Sequence, residues 1–152
     1  MTIDEAIRQV REVYRDLEEI DEPRDCVDRT DCCHFRLTGK TPVLTTGEAL
    51  VAAKGVRATG KKALTESLDP KRGKCPLLGV AGKCTIYDSR PFGCRTHFCT
   101  AAGGPFSRAS VRELIHRLEE IAESLGDTDP RPIEAAVSAA LDTLEKQKRR
   151  RR

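Results

Sequence analysis

Ile3, Ile7, Val10, Val13, Tyr14, Leu17 and Ile20 recur at steps of three and four residues. That spacing puts them on one face of a helix over about residues 3–20, and Pro23 stops it. A second helical stretch starts near Thr46, carries Glu48 in its first turn and fades by Gly60. Val111, Leu114, Ile115, Leu118, Ile121 and Leu125 form an apolar stripe over residues 107–125. Ser107 or Ser110 supplies its cap and Gly126 its stop. Pro130 and Pro132 introduce a last helix over 132–148, with Ile133, Val137, Ala140, Leu141 and Leu144 facing inward.

The middle reads differently. Residues 24–44 are rich in turn formers and residues 60–74 form a polar connection. Pro76–Val80 and Lys83–Tyr87 are short strand candidates around Ala81-Gly82, followed by a turn at Arg90-Pro91. The expected fold is mainly α with a small β-hairpin. An irregular, cysteine-rich metal-binding centre is packed between the N- and C-terminal helices, in a single domain over 1–152.

Composition makes the core lean. Of 152 residues, 38% are hydrophobic and 4% aromatic against 34% charged, so an added staple would help to offset chain entropy. The net charge of +3 is too mild to imply nucleic acid. No apolar run approaches the roughly 18–20 residues of a membrane span, and the N-terminus lacks the apolar region of a signal peptide. The expectation is a cytoplasmic protein without membrane attachment. Thiols stay reduced there, and an odd count of seven cysteines cannot pair fully, so metal or redox chemistry comes before disulfides.

The cysteines are spaced Cys26-x5-Cys32-Cys33 and, after 41 residues, Cys75-x8-Cys84-x9-Cys94-x4-Cys99. They sit beside Pro, Gly, Asp and Lys in loop-like sequence, unlike buried structural thiols. Soft thiolates select zinc, copper(I) or iron–sulfur clusters, and sets of four satisfy tetrahedral zinc or a cubane cluster. Neighbouring side chains diverge, so Cys32-Cys33 suits a cluster, two nearby metals, or one ligand plus one reactive thiol. Spacing alone does not partition the seven.

Other residues gather near them. Phe35, Tyr87, Phe92, Phe98 and Phe106 lie in or beside the cysteine region, as an apolar shell around a metal or as ordinary core. His34 and His97 flank cysteines and are candidate ligands, although a supporting or exposed role is the default; His116 reads as a solvated helix residue. Arg90 and Arg95 can hydrogen-bond sulfur, bind an anionic substrate or simply carry surface charge.

The block CPLLGVAGKCTIYDSRPFGCRTHFC, with CC-x-F upstream and Leu44-Thr45-Thr46-Gly47-Glu48 between, resembles the YkgJ-like cysteine-cluster family. That family is described as zinc- or iron-chelating, relatives carry the iron–sulfur label, and flagellin lysine methylases contain a similar cluster. The resemblance covers about residues 26–99. It maps the early cysteines onto Cys26, Cys32 and Cys33, with Arg29 where a further cysteine is expected, and the later ones onto Cys75, Cys84, Cys94 and Cys99. Ile86, Tyr87, Arg90, Pro91 and Arg95 match as well.

The resemblance implies that all seven cysteines are metal and cofactor ligands. The favoured cofactor is an iron–sulfur cluster with redox or transferase-like activity; the alternative is a structural zinc module mediating partner interactions. Metal delivery or thiol redox work through the vicinal pair is a third reading. No catalytic residue is assigned, and the partner is an unspecified protein or small molecule.

Two further motifs carry less. Gly55-x4-Gly60-Lys61 mimics a phosphate-binding loop, but Lys62 replaces the required Ser or Thr and no strand precedes it. The basic tail over 146–152, with Lys146, Lys148 and Arg149 to Arg152, reads first as a frayed solvated end. Nucleic-acid contact through it is the less favoured alternative.

Overall fold

The computed structural model describes residues 1–22, 24, 33–34, 39–64, 73–97 and 102–152. Helix α1 (Ile3–Glu18) starts at Thr2, whose hydroxyl accepts the Glu5 N–H at 3.2 Å. Asp4 and Glu5 in its first turn and Arg15 in its last complement the helix dipole. Ala6, Ile7, Val10, Val13, Tyr14 and Leu17 form the buried face that the spacing predicts. The helix stops before Pro23, because the Ile20 N–H turns back to the Leu17 carbonyl at 3.3 Å.

Helix α2 (Thr46–Ala58) opens with a full capping box: the Thr45 hydroxyl accepts the Glu48 N–H, and the Glu48 carboxylate accepts the Thr45 N–H. Its buried residues surround most of the helix, as expected of an element packed on several sides. Helices α1, α4 (Arg108–Ser124) and α5 (Ile133–Arg150) all pack against it. The small residues of α2 permit that approach. A methyl group on Gly47 would stand 2.9 Å from Val10 Cγ2 and 3.1 Å from Ile121 Cγ2.

Ser107 caps α4, accepting the Ser110 N–H at 3.2 Å, and Pro132 precedes the first residue of α5. Val10, Val13, Leu50, Val51, Val137 and Leu144 are among the most deeply buried side chains. Each contributes roughly 1.5–3 kcal/mol by leaving water. Among the described residues, no helix is long and apolar enough to cross a membrane.

The strand pairing differs from expectation. A two-stranded antiparallel sheet joins β1 (Val43–Leu44) to β2 (Arg131–Pro132), with Val43 opposite Pro132 and Leu44 opposite Arg131. The stretch expected to form a hairpin is a tight loop closed by one bridge, Leu78 with Cys84. Pro76 has no N–H to donate, and the Leu78 N–H turns back to the Cys75 carbonyl at 3.1 Å. The Thr85–Leu77 and Gly79–Lys83 hydrogen bonds, both 2.9 Å, are what remains of the ladder. A 3-10 turn (Tyr87–Ser89) and the short helix α3 (Phe92–Thr96) follow.

The C-terminal stretch is also more ordered than a frayed tail. Helix α5 continues to Arg150, Arg149 lies 3.5 Å from Glu145, and Arg151 donates to Asp4 at 2.6 Å. The Arg151 hydrogen bond holds the Asp4 carboxyl below its usual pKa.

Candidate metal centre

The cysteine region is closed at its base. Arg24 donates from Nε to the Gly104 carbonyl at 2.9 Å and stacks over the Phe106 ring at 5.2 Å. Gly103 and Gly104, at φ +106° and +77°, give the chain the left-handed turn that presents this carbonyl. Beside it, the Ser110 hydroxyl donates to Glu22 at 2.6 Å. Residues 24 and 104 flank all seven cysteines, so entry and exit of the region meet at one place.

Within the loop, the two cysteine stretches are joined through their backbones. The Cys75 N–H donates to the Cys33 carbonyl at 2.7 Å, and His34 bridges Lys74 alongside it. Cys75 is buried in the main core together with Leu77, Ile86 and Phe92, while Cys33 and Cys84 pack against that core. Cys94 is half-buried on α3.

Glu48 holds α3 in place. Its Oε2 accepts from the Thr45 N–H and hydroxyl, each at 2.9 Å, and its Oε1 accepts the Phe92 N–H at 2.8 Å. Burial raises the Glu48 pKa, although these donors pull it the other way. Arg95 fixes the opposite side of α3. It stacks over the Tyr14 ring at 4.2 Å and donates to the carbonyls of Arg90 at 2.8 Å and Asp88 at 2.5 Å. Thus Arg95 serves backbone oxygens and an aromatic face.

Tyr14 is buried under this arginine, and its hydroxyl has no hydrogen-bond partner among the described residues. The neighbouring Phe92 N–H is directed to Glu48 instead. Burial, and then the Glu48 carboxylate, push the phenol well above its usual pKa.

Cys33, Cys75, Cys84 and Cys94 are not joined to one another in disulfides. Cys26, Cys32 and Cys99 lie outside the described residues. Among the described residues, no three His, Cys, Asp or Glu side chains converge as a metal-holding group. His34 is half-buried, His97 is exposed at the end of α3, and His116 is exposed with Glu120 at 3.4 Å. Of the five nearby aromatics, Phe92 belongs to the core, Tyr87 is 47% exposed, and Phe106 carries Arg24. Phe35 and Phe98 lie outside the described residues.

Residues 24–122 match the CxxCxxCC family, described as "Putative zinc- or iron-chelating domain". The chain belongs to this family. The match begins at Arg24, which closes the cysteine loop, and runs on into α4, beyond the 26–99 span of the resemblance. Zinc or iron chelation is therefore the coarse function of this CxxCxxCC protein. Of the motif itself it keeps Cys26, Cys32 and Cys33 and carries Arg29 in the second cysteine position. Compared with curated proteins and with solved structures, the chain matches none.

The donor chemistry fits either metal. Thiols are soft ligands, and those of Cys33, Cys75, Cys84 and Cys94 are at least partly shielded from water. Three residues important to this arrangement were not singled out as site residues by sequence reasoning. Glu48 was legible only as a helix-start signal, through Thr45-x-x-Glu48. Arg24 carried no signal of its bond to Gly104, nor Gly55 of the close approach of Ser89 and Ile86 to α2.

Proposed function

We propose that this protein holds an iron–sulfur cluster on its cysteine thiolates and that the activity it supports is redox chemistry. The observation that carries the proposal is the Cys75 N–H to Cys33 carbonyl hydrogen bond, which draws the two cysteine stretches to one place. Ligands drawn from Cys33, Cys75, Cys84 and Cys94 would hold the cluster together with members of the set Cys26, Cys32 and Cys99. A surplus of thiols over the four of one tetrahedral zinc, and the vicinal Cys32-Cys33 pair, favour a cluster. Bound there, a cluster would supply a one-electron couple, while the chain shields it on the side of Leu77, Ile86 and Phe92.

Anaerobic purification with analysis of iron, zinc and acid-labile sulfide tests this reading. The expected result is a brown protein with broad absorption near ~400 nm and comparable iron and sulfide. A colourless protein after anaerobic reconstitution, carrying zinc and no sulfide, overturns it in favour of a zinc site.

A further inference from the structure

A pocket of about 230 Å³ opens between α1 and the segment that leads into α3. Its cations are Arg11 and Arg15 from α1 and Arg90 and Arg95 from the facing segment; its acids are Glu18 and Asp88. Arg95 is engaged, with its fork on two carbonyls and Glu18 at 3.5 Å. Arg90 lies 3.6 Å over the Tyr87 ring and uses only Nε, on the Tyr87 carbonyl. Arg11 and Arg15 are exposed and make no ion pair or side-chain hydrogen bond among the described residues.

Three guanidinium groups with donors to spare therefore share one concavity, opposed by the single uncommitted carboxylate of Asp88. Such grouping is unfavourable until an anion enters, and the planar fork of arginine matches the oxygens of phosphate. Tyr14 also lines the pocket, its ring covered by Arg95. The volume admits a phosphate group with a few waters, each water taking roughly 30 Å³. A neighbouring groove of about 620 Å³ shares Arg11 and Arg15 and adds Asp4, Ile7, Arg8 and Lys54, leaving room for an organic remainder.

We infer that this pocket binds the phosphate group of a small phosphate monoester. Arg95 follows Cys94 on α3, so the ligand would lie on a face of this short helix next to the one that carries Cys94. Its nearness to a cluster rests on the cluster reading. The affinity for phosphate does not.

The test uses the full-length, metal-loaded protein. Inorganic phosphate and methyl phosphate are titrated calorimetrically at constant ionic strength, with chloride and acetate as control arms. Saturable binding of both phosphates is expected, with acetate weaker. The Arg11→Gln/Arg15→Gln double variant should bind at least about tenfold more weakly, as fits the loss of charge-assisted hydrogen bonds. Metal per chain should be unchanged in that variant, since both arginines are exposed. Heat no greater than with chloride, equal affinity in the double variant, or loss of metal together with phosphate would each overturn the inference. Phosphate binding by a preparation that holds only zinc would fail the cluster reading and leave the pocket standing.

Discussion

Glu48 and Phe92 are 44 positions apart, and the carboxylate of one accepts the backbone N–H of the other at 2.8 Å. The same carboxylate caps α2 through Thr45. One buried side chain thus couples the start of the central helix to the start of the helix that carries Cys94. A carboxylate suits the place because it offers acceptors only, and the three groups facing it all donate.

Glu48→Ala should destabilise the protein by about 2–4 kcal/mol, combining a lost cap with buried donors left unmatched. Glu48→Gln should lose less, because its amide oxygen still serves one donor. The pH dependence has a definite sign. A carboxyl whose folded pKa is raised takes up more protons folded than unfolded, so its contribution is complete below the unfolded pKa. It declines as pH rises from the ordinary carboxylate range through the raised value. Urea denaturation across that range should show this decline in the native protein and a flatter profile in Glu48→Gln. Parallel profiles for the two would refute the assignment.

Gly55→Ala should lower stability, although alanine is the better helix former by about 1 kcal/mol. The added methyl would stand 2.8 Å from Ser89 Cβ and 3.2 Å from Ile86 Cβ, both fixed to the backbone. Overpacking of this kind costs about 1–3 kcal/mol, so a net loss is expected. Ser89→Gly in the same background should restore much of the melting temperature. If Gly55→Ala melts at or above the native temperature, the contact between α2 and the 3-10 turn is not as close as described.

The fate of Gly55 illustrates what was legible in the sequence. In Gly55-x4-Gly60-Lys61 it imitates a phosphate loop, yet its role is to let Ser89 approach α2. Nothing local signals that neighbour, 34 positions away. Helices α1, α4 and α5 were legible because an apolar stripe repeated over several turns leaves little choice of face. Helix α3 has five residues and is too short to display a period. The sheet was hidden for a related reason: Val43–Leu44 and Arg131–Pro132 pair only because α2 and α5 bring them together. At the candidate centre, residue chemistry pointed to metal. The meeting of Cys33 with Cys75 depends on tertiary structure that spacing does not encode.

Cys75→Ser, Cys84→Ser and Cys94→Ser should each lower metal per chain, and Cys75→Ser should also lower thermal stability most. Cys75 is buried in the core, where serine would place a hydroxyl among Leu77, Ile86 and Phe92, at a cost of about 1–3 kcal/mol without a partner. His116→Ala should change neither quantity, because that side chain is exposed beside Glu119 and Glu120. Elemental analysis and melting curves of the four variants decide the matter. Equal metal content in His116→Ala and the cysteine variants would contradict the ligand assignment.

Metal removal should separate the core from the cysteine loop. Helices α1, α4 and α5 pack on α2 through side chains such as Val10, Leu50, Ile121, Val137 and Leu144, none of them beside a cysteine in sequence. Helical packing therefore has its own hydrophobic driving force. Among the described residues, the Cys33–Cys75 junction is joined by the Cys75 N–H to Cys33 carbonyl bond and the His34–Lys74 bridge. After anaerobic chelation, the far-UV helical signal and a cooperative melt should persist at a lower midpoint. Amide exchange should quicken around Lys74–Thr85 while the interiors of α2 and α5 stay protected, as expected when local opening is confined to one region. Collapse of the whole helical signal on chelation would instead mean that the metal organises the helices, which is what a structural zinc module requires.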